Sequence, residues 1–179
     1  MNNIQVIVWL FSMIFIFHDF EEIIFMQAWI SKNRVFLCER FPKLSRELLP
    51  HFDSITTSSF AVGVAEEFIL ISIITVFSYE MNWYSIWLGL FIAFTLHLVM
   101  HCFQALILRK YIPAIVTSII CLPICMYIIK NIAQLFTLRT VVIYSFLGFI
   151  IMVVNLGIVH RFMNRVSKWL EKHENQSRL

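Results

Sequence analysis

Three histidines and four glutamates stand out because they occur within stretches that are otherwise apolar. His18, Glu21 and Glu22 lie in the segment FIFHDFEEII. A spacing of three and four residues places all three side chains on one face of a helix. Imidazole nitrogens and carboxylate oxygens are common ligands of zinc and iron. The segment therefore predicts a metal site, in which a cation compensates side chains that are costly to bury in a membrane.

Two later stretches carry the same residue types. His97 and His101, in FTLHLVMHCFQ, have the four-residue spacing with which one helix supplies two imidazoles to one metal. Glu66 and Glu67, in VGVAEEFIL, diverge by about 100° on a helix, so we expect one to face the centre and the other a flank or a second ion. The predicted metal ligands are His18, Glu21, Glu22, Glu66, Glu67, His97 and His101.

The same residues could also move protons. A metal-dependent hydrolase needs a carboxylate that is not bound to the metal, and we predict Glu67 as this catalytic base, with Glu22 as the second choice. Asp19 is rotated about 100° from His18 and suits an acceptor that holds an imidazole N–H. A proton relay or ion pathway without metal is the alternative interpretation of the whole set.

The composition defines the elements that must position these side chains. The chain has 179 residues, of which 60% are hydrophobic and 14% charged, whereas soluble domains are about 45–50% apolar. This composition predicts one all-α integral membrane domain over residues 1–179. Five apolar stretches approach the length needed to cross a hydrocarbon core of about 30 Å. We place these spans near 4–30, 57–79, 83–108, 113–129 and 139–160.

Prolines and charges define the connections between these spans. The loop 31–56 is too polar to span and predicts a short amphipathic helix at the membrane interface, between Pro42 and Pro50. Pro113 suits the first turn of the fourth span, and Pro123 predicts a kink within it. No small-residue cleavage site follows the first apolar stretch, so we expect the first helix to be retained.

The distribution of lysine and arginine predicts the orientation. Twelve of the fourteen basic residues fall in the segments 31–56, 109–110 and 161–178, and only Lys130 and Arg139 fall on the other side. Because basic loops stay in the cytoplasm, five spans place the N-terminus outside and the C-terminus in the cytoplasm. At about 1.5 Å per residue, the polar residues of the first three spans then reach one layer, from the midplane into the cytoplasmic half.

The segment 18–22, HDFEE, reproduces the HxxEE motif, and the chain resembles the HXXEE-domain family of integral membrane proteins. The resemblance extends over 8–160 and includes the glutamate pair of the second span and the two histidines of the third. Tyr111, Pro113 and Thr117 lie in a stretch comparable to the family's Tyr-Pro-Gly-x-x-Thr. The resemblance implies a polytopic protein with an intramembrane metal or enzymatic site, and it supplies no substrate.

Taken together, these patterns favour an intramembrane metal-dependent hydrolase of a lipid or membrane-embedded substrate, using one or two divalent ions, with zinc favoured over iron. A proton- or metal-cation-coupled transporter and a di-iron membrane oxidoreductase are the alternatives. The expected partners are membrane lipids and the substrate, with no nucleic acid, and a homodimer is one option. The expected location is the plasma membrane.

Overall fold

A computed structural model describes the backbone of residues 3–176 and the side chains of residues 6–173. Arg178, one of the basic residues that predict the orientation, lies outside the described residues. The described chain is 90% helix without strands, which confirms the all-α class. Its helices are α1 (Asn3–Arg40), α2 (Pro42–Asp53), α3 (Thr57–Glu80), α4 (Tyr84–Leu108), α5 (Ile115–Ala133) and α6 (Leu138–Gln176).

α1 continues ten residues beyond the end that the sequence predicts for the first span. No proline or glycine interrupts it before Phe41, which leaves the helical conformation (φ −135°, ψ 60°). The proline ring of Pro42 disfavours the α conformation of the residue before it, so α1 ends there. Pro42 then begins α2, which forms in the region where the sequence predicts an amphipathic helix.

The other helix ends also have local causes. Thr56 caps α3, since its Oγ1 accepts a hydrogen bond from the Ser59 backbone N–H at 3.1 Å. α4 ends at Arg109, which adopts a left-handed conformation (φ 52°). α5 begins at Ile115 and not at Pro113 as predicted, because Ala114 is also left-handed (φ 76°) and breaks the helical path.

Four of the described helices are long and apolar enough to cross a membrane, namely α3, α4, α5 and α6. α1 is not among these four; over the residues with described side chains, 6–40, its apolar stretch carries Asp19, Glu21 and Glu22. Many large apolar side chains on the outer faces are exposed, including Leu138 at 79% and Phe146 at 67%. Exposed apolar surface on this scale indicates a protein whose solvent is the lipid bilayer.

α4 packs against α5 and α6, while α1 packs against α3 and α5. Between α1 and α4, the ring of Phe11 meets Phe91 edge to face at 5.1 Å, and Trp87 Nε1 donates to the carbonyl of Val8 at 3.2 Å. This aromatic layer joins the first half of α1 to the first half of α4. Two turns further along both helices, the predicted site residues face each other.

Candidate metal centre

Four side chains from α1 and α4 converge on one point between the helices. His18, Glu22, His97 and His101 each offer one ligand atom, and these atoms all lie within 4.8 Å of one another. Both pairs have the four-residue spacing that puts two side chains on one helix face. His18, Glu22 and His101 are buried, and His97 is half-buried. The structure thus brings together four of the seven residues that the sequence predicts as ligands, in an arrangement that could hold a metal ion.

The contacts inside this cluster resemble ligand-to-ligand distances. His97 Nε2 lies 2.9 Å from His101 Nε2, which in turn lies 3.0 Å from Glu22 Oε1. The contact between Glu22 Oε1 and His101 does not have the geometry of a hydrogen bond, so this buried oxygen has no hydrogen-bond partner among the described residues. Tetrahedral zinc with bonds of about 2.0–2.1 Å separates its ligand atoms by about 3.4 Å. A small outward movement of these side chains would therefore accommodate one ion.

His18 presents a bare nitrogen to this cluster. Its Nδ1 lies 3.1 Å from Thr117 Oγ1, and that hydroxyl lies 2.7 Å from the carboxylate oxygen Oε2 of Glu21. Because the threonine proton goes to the carboxylate, Oγ1 must accept, and Nδ1 of His18 carries the imidazole proton. The other nitrogen, Nε2, is then unprotonated, and it is buried without a partner. Such an atom is suited to bind a cation.

Glu21, predicted as a metal ligand, is directed away from the cluster. Its carboxylate accepts hydrogen bonds from the Thr117 backbone N–H at 2.8 Å, from the Thr117 hydroxyl and from the Tyr111 hydroxyl at 2.8 Å. Free N–H groups at the start of a helix attract anions. The N-terminus of α5 thus binds Glu21, and the spacing of three positions between His18 and Glu21 does not bring both side chains to one ion.

The two glutamates of α3 also lie outside the cluster. Glu66 is half-buried and accepts a hydrogen bond from Asn155 of α6 at 3.3 Å. Glu67 lines a cavity that also contains Glu22 and Asp19. The expectation that Asp19 holds an imidazole N–H is not met for His18, whose Nδ1 is bound by Thr117. The buried Oδ2 of Asp19 has no hydrogen-bond partner among the described residues.

The cluster opens into a cavity of about 590 Å³ that extends between α1, α2, α3, α4 and α6. Most of its lining is apolar, and His97, His101 and Glu22 form part of its wall. Small-molecule sites occupy roughly 300–1,000 Å³ and combine apolar walls with a few convergent polar groups. The cluster therefore lies on the wall of a cavity large enough for a ligand.

A second histidine pair, which the sequence gives no reason to single out, joins α2 to α6. His51 Nε2 of α2 lies 3.0 Å from His160 Nδ1 of α6, and the ring of His160 lines the cavity. The two residues are 109 positions apart, so no local pattern could have joined them.

A family model described as "Protein of unknown function with HXXEE motif" matches residues 9–128. The chain belongs to this family. No curated protein and no solved structure matches the chain.

The residues of the HxxEE motif have two different structural roles in this chain. His18 and Glu22 belong to the cluster, whereas Glu21 binds the N-terminus of α5 and thereby positions Thr117 against His18. Tyr111 and Thr117, which complete this arrangement, were not predicted as site residues. The signal that could have found them is their position in the stretch that is comparable to the family's Tyr-Pro-Gly-x-x-Thr.

Proposed function

We propose that this protein is an intramembrane metalloenzyme that hydrolyses a lipid or another membrane-embedded substrate. The observation that supports the metal is the bare, buried Nε2 of His18. No described residue donates a hydrogen bond to this acceptor, and leaving a buried acceptor unpaired costs about 1–3 kcal/mol. His18, His97 and His101 would hold a divalent ion that satisfies this nitrogen and gives the carboxylate of Glu22 an adjacent positive charge.

The donor set favours zinc over iron and one ion over two. Three imidazoles and one carboxylate are typical zinc ligands, whereas di-iron sites in helical bundles are dominated by glutamates. Glu66 and Glu67 stand apart from the cluster, so the carboxylates of a second site are not assembled beside the first. Exchange of the Glu22 carboxylate for water would leave three histidine ligands and the open position that a catalytic zinc site needs.

When bound, the ion would lower the pKa of water toward about 7 and polarise a carbonyl or phosphoryl oxygen. The side chains of the protein supply the other requirements. Thr117 and Glu21 hold His18 in one tautomer. Glu67 lines the same cavity without belonging to the cluster, so its carboxylate can take a proton from water and return it to the leaving group. Phe94, packed edge-on against His18 at 5.8 Å, helps to exclude bulk water.

The topology that accompanies this proposal has five spans. α1 crosses the membrane with the four apolar helices, because its acidic residues face the cluster, α5 and the cavity rather than lipid. The short connections between α3 and α4, α4 and α5, and α5 and α6 alternate the direction of the helices. With the basic residues in the cytoplasm, the N-terminus is outside, and the plasma membrane is the proposed location.

Metal analysis of the protein purified in detergent tests the site. We expect near-stoichiometric zinc that survives extended dialysis, and an at least tenfold lower content in His101→Ala. His173→Ala is the matched control, since His173 is exposed on α6 and bonds only within its own helix. Equal metal contents in the two variants would contradict a site at the cluster. Rapid loss of metal, together with metal flux in reconstituted vesicles, would favour a carrier.

Glu67→Gln tests the hydrolase. We expect this variant to keep its zinc and to lose most of its activity toward lipid esters, because an amide cannot accept the proton. Glu66→Gln, at the adjacent position but bonded to Asn155, is the control and should keep both zinc and activity. Loss of zinc in Glu67→Gln would instead make Glu67 a ligand.

A further inference from the structure

The cavity continues along the helices on both sides of the metal cluster. On α3 its lining runs from Phe60 to Ile74, with Glu67 near the middle, and on α1 it runs from Phe11 to Leu37, with Glu22 near the middle. At about 1.5 Å per residue the α3 portion alone covers about 21 Å, which exceeds the roughly 15 Å of one leaflet's hydrocarbon. The cavity is therefore long enough for an extended lipid chain.

The walls on both sides of the cluster are apolar, while the carboxylates lie between them. Phe15 and Ile74 line one side, and Leu37, Leu48 and Phe60 line the other, where α2 closes the cavity. The polar side chains at the level of the cluster are Asp19, Glu22, Glu67, His97, His101 and Asn155. Gln104 and His160 add uncharged hydrogen-bonding groups further toward α2. A ligand that matches this pattern has its polar group near the middle of its length.

The charge of the lining determines the charge of that polar group. None of the described residues that line the cavity is a lysine or an arginine, and three are carboxylic acids, Asp19, Glu22 and Glu67. In the metal-free protein, a phosphate or a free carboxylate would lie close to these acids in a medium of low dielectric without a permanent cation to pair with. The metal-free cavity thus discriminates against anionic lipids, which form their headgroup interactions with lysine and arginine.

We infer that the ligand of this cavity is an uncharged lipid whose ester or amide lies between two apolar chains. The ester or amide reaches the cluster, and the chains extend along the apolar walls on either side. That this lipid is the substrate rests on the proposed function. Its fit to the cavity depends only on shape and charge and holds for the metal-free protein.

Three isomeric lipids test the position and the charge of the polar group separately. Decyl decanoate has its ester at the centre, methyl nonadecanoate has its ester at one end, and icosanoic acid has a terminal carboxyl group that ionises. Each competes against a diazirine analogue of decyl decanoate for photo-crosslinking to the purified protein, with and without zinc. We expect decyl decanoate to compete at least tenfold more effectively than methyl nonadecanoate in both forms, and than icosanoic acid in the zinc-free form, with crosslinks mapped to the cavity lining.

Two pairs of variants locate the binding site. Ile74→Trp fills the cavity and should reduce crosslinking at least fivefold, whereas Ile73→Trp, on the exposed side of α3, should leave it unchanged. If Ile74→Trp does not fold, Leu70→Trp and its exposed neighbour Ile69→Trp serve the same purpose. Equal competition by the three isomers, or unchanged crosslinking in the folded cavity-filling variant, would overturn the inference.

The outcomes for the ligand and for the proposed function are distinguishable. Selective binding of decyl decanoate to a protein that holds no zinc and releases no decanoate would keep the inference and overturn the metalloenzyme. Bound zinc and hydrolysis of other esters, without selectivity for decyl decanoate, would keep the metalloenzyme and overturn the inference.

Discussion

The hydroxyl of Thr117 determines which nitrogen of His18 is free. It accepts from Nδ1 at 3.1 Å because its own proton is held by the Glu21 carboxylate at 2.7 Å. Partners of this kind orient metal-binding histidines and increase their basicity. The tautomer of His18, the first residue of the HxxEE motif, therefore depends on a threonine 99 positions away.

Thr117→Val tests this dependence with a side chain of the same shape. We expect zinc affinity to fall about 10–100-fold, as is typical when the partner of a histidine ligand is removed. Competition with a chromophoric zinc chelator measures the affinity. Thr95→Val is the control, since the Thr95 hydroxyl is buried in α4 but bonds to the carbonyl of Phe91 in its own helix. An equal loss of affinity in both variants would contradict a specific role for Thr117.

Histidines that share one ion should also show strong coupling. We expect His18→Ala and His97→Ala each to remove most of the bound zinc, and the double variant to lose little more, because an emptied site has little left to lose. Metal content and zinc affinity of the four proteins of the cycle are the measurements. Independent, additive effects of the two substitutions on zinc affinity would show that the histidines do not bind the same ion.

Helical spacing predicted part of this site and could not predict the rest. His97 and His101 share a face in any helix, so their proximity follows from the sequence. Glu21 shares a face with His18 by the same rule, yet its carboxylate binds the N-terminus of α5, a long-range contact that the spacing does not contain. The choice between Glu66 and Glu67 likewise depended on how α3 is rotated against its neighbours.

At the scale of helices, α4 carries two of the cluster's histidines and is positioned by its contact with α6. A Cβ atom added to Gly148 would lie closer to the backbone atoms of Gly89 than non-bonded atoms can approach. The backbones of α4 and α6 are therefore in direct contact at these two glycines, with no side chain between them. Small residues permit this close approach of helices in membranes. The registration of α4 within the bundle therefore depends on this glycine contact.

Gly148→Ala should accordingly lower the stability of the protein in detergent, by about 1–3 kcal/mol, as expected for an overpacked contact. Gly157→Ala, on the same helix, adds a Cβ that meets nothing within 4 Å and should be neutral or slightly stabilising, since alanine favours helix. Unfolding in denaturant, followed by far-UV circular dichroism, compares the two. A smaller effect at Gly148 than at Gly157 would contradict the close packing of α4 on α6.

α2 is attached to α1 by an ion pair outside the predicted spans. The two terminal nitrogens of the Arg34 guanidinium, Nη1 and Nη2, donate to the carboxylate of Asp53 at 2.6 and 2.7 Å. These hydrogen bonds lower the pKa of Asp53. A carboxylate with a lowered pKa in the folded state contributes stability at neutral pH, and this is lost as the pH falls through that pKa. The pair is half-exposed, so its contribution is small and local.

Hydrogen exchange of the α2 amides measures this attachment. We expect protection of α2 to decrease slightly on acidification in the wild type, and in Asp53→Asn to be slightly lower at neutral pH and nearly independent of pH. Glu47→Gln, on α2, is the control and should behave like the wild type. Unchanged protection of α2 in Asp53→Asn at neutral pH would show that other contacts hold the helix.

At the scale of the whole molecule, composition and hydropathy predicted the helical class and the positions of α3 and α4 closely. They predicted less well where helices end, because α1 continues to Arg40 through residues too polar for a membrane and α6 continues to Gln176. A helix needs only its backbone hydrogen bonds and no breaker, whereas a span also needs apolar side chains. Hydropathy therefore marks the membrane-spanning part of a helix rather than its full length.

The final prediction concerns the number of spans, which depends on α1. If α1 crosses the membrane, Val35 and Lys172 lie on the cytoplasmic side, while Asn82 and Asn131 lie outside, because the intervening helices alternate in direction. Single cysteines at these four positions, in a background with Cys38, Cys102, Cys121 and Cys125 replaced by alanine, report their sides. A membrane-impermeant maleimide should label Asn82→Cys and Asn131→Cys in intact cells, and Val35→Cys and Lys172→Cys only after permeabilisation.

A cysteine near the N-terminus completes this test of the orientation. In the five-span topology Val6→Cys, at the start of α1, should also react in intact cells, since it lies about 44 Å along the helix from Val35, at the outer end of the span. Labelling of Val6→Cys and Val35→Cys from the same side would mean that α1 does not cross. The acidic residues of α1 would then lie at an interface, where bulk water could hydrate them, and the need for a cation at His18 and Glu22 would be much weaker.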